Sequence, residues 1–151
     1  MISESELFGC QIGQALTGRE GRWTPVNADG LPVGGTLQGR IEEGRVVAVR
    51  LSVEGDISTL FGVMKQLLDL VTADPEWDIP ERPRSSGATS TSIYRKGHGE
   101  LRVRMRADPE RPALSFELRR SETHHPTFEE RREAVSRATA SPSCTRFDDG
   151  A

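Results

Sequence analysis

Lysine is nearly missing from this sequence: of its twenty basic residues only Lys65 and Lys96 are not arginine. Cysteine is as scarce, with Cys10 and Cys144 near opposite ends. A single bridge between them is conceivable, but two cysteines make no disulfide framework, and reduced thiols are expected. No stretch approaches the roughly 20 apolar residues that span a bilayer. The N-terminal MISESELFGC carries acidic residues where a signal peptide carries basic ones. These absences predict a cytoplasmic protein with no membrane contact. The arginine bias fits a GC-rich bacterial coding sequence, although arginine also forks onto carboxylates and phosphates as lysine does not.

Recognisable catalytic chemistry is absent too. One tyrosine and three histidines leave few groups for general acid–base work. There is no CxxC or HExxH spacing, and the adjacent His124 and His125 would diverge along an extended backbone. The glycines of GLPVGGTLQG, residues 30–39, lack a phosphate-binding lysine and lead into a strand pattern rather than a helix. No G-x-S-x-G elbow occurs. No catalytic residue, metal ligand or cofactor is therefore expected. A small enzyme without a motif stays as an alternative, which a deep pocket lined by His98 or His124 with a perturbed carboxylate would revive.

What is present reads as one α+β domain over residues 23–140. Residues 1–22 form an N-terminal segment with a short helix, and 141–151 a disordered tail. The stretch TLQGRIEEGRVVAVRLSV suits a hairpin whose loop, Glu42-Glu43-Gly44, closes in a G1 bulge. Leu37, Gly39 and Ile41 then share a face with Val47, Val49, Leu51 and Val53. Ile57 to Ala73 has the i, i+3, i+4, i+7 spacing of an amphipathic helix, with Asp56 as N-cap and Pro75 as stop. Val63 and Leu70 widen its apolar stripe, which reads first as core under a loop and second as a homodimer contact. Residues 75–92 read as a Pro/Ser-rich loop anchored by Trp77 and Ile79. A three-stranded meander follows, turning at Gly97-His98 so that Tyr94 meets Leu101. Its second loop, Pro109 to Pro112, would pair Met105 with Phe116 and Val103 with Leu118, which sets Arg104 opposite Glu117 and Arg102 opposite Arg119. Thr127 and Glu130 make a capping box for a short C-terminal helix from Phe128. The expected sheet has five or six antiparallel strands against one main helix.

Charge singles out one part of that sheet. Ile93–Arg120 holds eight basic and four acidic residues, while the remainder is mildly acidic. In GELRVRMRAD, residues 99–108, alternation puts Arg102, Arg104 and Arg106 on the face opposite Leu101, Val103 and Met105. Arg119, Arg40 and Arg50 have the same outward parity. Strand order decides whether they join one patch. The expected function is a non-catalytic interaction module of the chaperone, adaptor or immunity kind, binding an acidic protein partner through these six arginines. A nucleic-acid binder using the same face is the rival, weakened because Tyr94 and Phe116 fall on the buried parity and leave no aromatics for base stacking.

Overall fold

A computed structural model describes residues 2–79, 83–126 and 128–140. In chain order the elements are β1 (Glu6–Leu7), β2 (Cys10–Gln11), β3 (Trp23–Val26), β4 (Gly35–Glu42), β5 (Arg45–Val53), α1 (Ile57–Thr72), β6 (Arg84–Ser86), β7 (Thr89–Arg106), β8 (Ala113–His125) and α2 (Phe128–Ala140). The fold is α+β: a six-stranded antiparallel sheet ordered β3-β4-β5-β8-β7-β6, a β1-β2 ladder, one main helix and a short C-terminal helix.

The N-terminal segment makes a tight hairpin instead of the expected helix. Phe8 (φ 50°) and Gly9 (φ 87°) reverse the chain between β1 and β2, and Gly13 (φ 95°) bends it again. Left-handed residues in succession cannot continue a right-handed helix. Nor does this segment stand apart from the domain. Leu7, Phe8 and Cys10 are buried in the core. The Gly13 N–H donates to the Val46 carbonyl at 2.7 Å, and the Val46 N–H donates to Gln14 at 3.0 Å.

The β4–β5 connection is two residues, not three. Glu43 (φ 53°) and Gly44 (φ 72°) form a primed turn, which suits the twist of paired strands. Glu20 holds it: its carboxylate accepts the Glu43 N–H at 2.8 Å and the Gly44 N–H at 3.1 Å. A bulge absorbs the difference, pairing Arg40 with Ala48 and Ile41 with Val46 and leaving Val47 unmatched. Val46, rather than the expected Val47, therefore enters the core beside Val49, Leu51 and Val53.

Helix α1 follows its sequence pattern. The Asp56 carboxylate accepts the Thr59 N–H at 2.7 Å, which holds its pKa below the ordinary value. Leu60, Leu67 and Val71 are buried, with Ile57, Val63, Met64 and Leu68 packed beside them. The described residues on either side of 80–82 carry more structure than the expected loop. Trp77 is buried, and Asp78 and Arg95 exchange backbone hydrogen bonds of 2.9 and 2.8 Å. Ile79, the other expected anchor, is 48% exposed. Beyond it, Gly87 (φ 61°) turns the chain so that β6 pairs with the start of β7. A short polar strand suits a solvated sheet edge.

Strand β7 folds back on itself. Eighteen residues of straight strand would span about 60 Å, yet the Ala107 N–H donates to the Ala88 carbonyl at 2.8 Å. The reversal falls at Gly97 (φ 57°), within the expected Gly97-His98 turn. Stepping inward from that bond sets Tyr94 opposite Leu101 and Arg95 opposite Glu100, whose charged atoms lie 3.8 Å apart.

The β7–β8 register differs by two residues from the sequence expectation. Met105 pairs with Leu114 and Val103 with Phe116. The connection is longer because Asp108 builds its own turn. Its carboxylate accepts the Glu110 N–H at 3.0 Å and its carbonyl accepts the Arg111 N–H at 3.1 Å. An even slip keeps every apolar residue on the core face. Only the partners of the outward charges change.

The core face of the sheet is covered by α1 and the N-terminal segment, whose buried residues share one cluster with those of β4, β5, β7 and β8. Helix α2 presents Val135 63% exposed. Thr127 of the expected capping box, Cys144 and the expected tail over 141–151 lie outside the described residues. No helix among the described residues is long and apolar enough to cross a membrane.

Candidate interaction face

Strand order answers the question left by the sequence. Because β8 inserts between β5 and β7, the two arginine-bearing regions are neighbours in one sheet. Residues directly opposite in a ladder share a face. One row therefore runs Trp23–Arg40–Ala48–Arg119–Glu100 from β3 to β7. The next runs Pro25–Gln38–Arg50–Glu117–Arg102. A third passes through Thr36, Ser52 and Ser115 to Arg104, and Arg106 stands beyond it opposite Ala113. All six expected arginines are thus brought together on the face opposite the core.

The corrected register decides how they are neutralised. Arg102 stands opposite Glu117, and Glu100 opposite Arg119, in place of the expected Arg104–Glu117 and Arg102–Arg119 pairings. No two arginines face each other across the β7–β8 ladder. Side chains also pair along each strand. Arg40 meets Glu42 at 2.9 Å, Arg102 meets Glu100 at 3.4 Å, and Arg119 pairs with Glu117. Glu100 is the buried charged residue of the described core, 7% exposed, and Arg95 approaches it as well. The Nε atoms of Arg40, Arg50 and Arg119 are buried without a hydrogen bond, so these side chains lie along the sheet and hold their tips outward.

Two arginines differ from the others. Arg104 and Arg106 are exposed and make no ion pair or hydrogen bond among the described residues. The six expected arginines outnumber the carboxylates interleaved with them, Glu42, Glu100 and Glu117, so the face is positive. The surplus concentrates at the Arg104–Arg106 end.

Two residues outside the expected patch belong to it. Trp23 lies on the open face at the β3 edge, with the Arg50 guanidinium 4.2 Å over its ring. The expectation of a face without aromatics is thus incorrect. Four isolated residues, WTPV, gave too short an alternation to assign a parity. Arg95 joins through its contact with Glu100, a pairing that the Gly97-His98 turn already implies.

Other chemistry is sparse. No group of three or more His, Cys, Asp or Glu side chains converges among the described residues. Cys10 is a free, buried thiol whose pKa is raised by burial. Burial likewise raises Tyr94. The widened stripe of α1 is divided: Val63 packs against the core, while Leu70 is half exposed, as is Phe61. No family model, curated protein or solved structure matches this chain.

Proposed function

We propose that this protein is a non-catalytic interaction module that binds an acidic protein surface through its open sheet face. The observation that supports it is the co-facial placement of Arg40, Arg50, Arg102, Arg104, Arg106 and Arg119 on the sheet side opposite the core. Arg104 and Arg106 would supply the first contacts, each offering a planar fork to a carboxylate. The four central strands span about 14 Å, enough to seat a helix or a strand pair of a partner. Interleaved Glu42, Glu100 and Glu117 favour a protein over a nucleic acid. A phosphate backbone carries no cations to meet them, and they interrupt a continuous basic track. The Trp23 ring is already occupied by Arg50, which removes one face from base stacking. A bacterial cytoplasmic chaperone, adaptor or immunity protein is the setting this reading implies.

The test compares a fluorescent Glu-rich peptide with a single-stranded oligonucleotide of equal charge by anisotropy over a salt series. The expected outcome is peptide binding that falls at least tenfold in the R102Q/R104Q/R106Q variant, with an unchanged circular dichroism spectrum. Retained peptide binding in that variant would reduce the arginine face to a solubility device. Tighter oligonucleotide binding with a steep salt slope would turn it into a phosphate surface. Pull-down from a bacterial lysate, with and without nuclease, then identifies the partner.

A further inference from the structure

Away from the arginine face, at the end of the sheet, the N-terminal segment meets the β7 turn. Glu4 docks there because Gly97 and Gly99 lack side chains: a Cβ on Gly99 would lie 2.5 Å from the Glu4 carbonyl oxygen. The His98 N–H donates to the Glu4 carboxylate at 3.3 Å, and the His98 ring is held through Nδ1 by the Ser121 carbonyl at 3.1 Å. Since a carbonyl only accepts, Nδ1 carries the proton. Between these groups opens a depression of about 220 Å³ lined by Glu4, Ser5, Ile12, His98 and Arg120. Ile12 and Arg120 are shared with an adjoining depression of about 280 Å³, whose other walls are Ser121, Glu122 and Val47, the unmatched residue of the β5 bulge.

The arrangement of charge is unusual. Glu4 and Arg120 line the same depression with opposite signs but do not close into an ion pair. Arg120 makes no ion pair or hydrogen bond among the described residues. Two opposite charges held apart across a cleft suit a ligand carrying both signs. A simple anion such as phosphate would meet Arg120 but be repelled by Glu4 and by Glu122 of the adjoining depression, and a simple cation would be repelled by Arg120. We propose that this cleft binds a small zwitterion of the α-amino acid class. The ligand carboxylate lies on the Arg120 fork, its ammonium on Glu4, and an aliphatic side chain between Ile12 and Val47. Ser5 supplies a hydroxyl at the rim.

Amide chemical-shift mapping of the ¹⁵N-labelled full chain tests this with leucine, N-acetyl-leucine, leucinamide and inorganic phosphate as probes. The expected result is saturable leucine shifts at Gly97, Gly99 and Arg120, with either blocked analogue at least tenfold weaker. Arg120→Gln and Glu4→Gln should each weaken leucine at least tenfold. Glutamine at position 4 keeps an acceptor for the His98 N–H, and spectral dispersion reports whether the fold persists. Absence of leucine shifts overturns the proposal, as does phosphate binding as tightly as leucine. So does leucine binding unchanged in the well-folded Arg120→Gln variant.

Discussion

Lys96 donates to the Asp74 carboxylate at 2.7 Å, adding a side-chain contact to the Asp78–Arg95 backbone pair that ties the strap after α1 to β7. The Lys96 hydrogen bond, joined by the Glu76 N–H, holds the Asp74 carboxyl below its ordinary pKa despite some desolvation. A carboxylate with a depressed folded-state pKa stabilises the fold above its unfolded value, near ~3.9. That contribution is lost as the pH falls through the folded-state value. Asp74→Asn is therefore expected to lower the urea midpoint at neutral pH. It should also flatten the loss of stability between about pH 5 and pH 2, the range in which an exposed aspartate and a depressed one part company. Urea titrations at a series of pH values check both limbs. A variant whose pH profile parallels the parent would show that the ion pair is too well solvated to matter, as many surface pairs are.

At the scale of elements, glycine geometry explains both what was legible in the sequence and what was not. Helix α1 was readable because periodicity, Asp56 and Pro75 all agree, and its boundaries match the structure within a residue. The Gly97-His98 reversal was readable from its turn chemistry. The N-terminal hairpin was not, because SESELFGCQIGQAL carries a weak helical spacing that Phe8, Gly9 and Gly13 override through left-handed backbone. The β7–β8 register was missed for a different reason. Asp108 begins a self-contained turn that lengthens the connection, and Pro109 and Pro112 do not mark its ends. The six arginines were found by parity alone, whereas their union on one face depended on β8 entering between β5 and β7. No local pattern encodes such an insertion. One prediction belongs here. Gly99→Ala should destabilise by on the order of 1–3 kcal/mol, since the new Cβ collides with Glu4 backbone that cannot yield without moving the segment. Differential scanning calorimetry measures the loss. Hydrogen exchange should show it centred on residues 2–13 and the β7 turn, not on α1.

For the molecule as a whole, the sheet divides two requirements between its faces. One side gathers Leu37, Val49, Leu51, Leu101, Phe116 and Leu118 under α1 and the N-terminal hairpin. The other remains bare and charged. Its edges are protected from strand addition: β3 has four residues and includes Pro25, which lacks an N–H, and β6 has three. Both edges thereby resist strand addition, which leaves the charged face as the surface that the proposed partner would meet. The same division places the two tryptophans in separate environments, Trp23 out among the arginines and Trp77 within the core. The molecule thus carries two built-in optical reporters. Acrylamide should quench Trp23 in the free protein and lose access to it when a partner covers the face. Trp77 should stay shielded until the chain unfolds. With Trp23→Phe and Trp77→Phe as controls, intrinsic emission alone separates docking from denaturation, with no label attached.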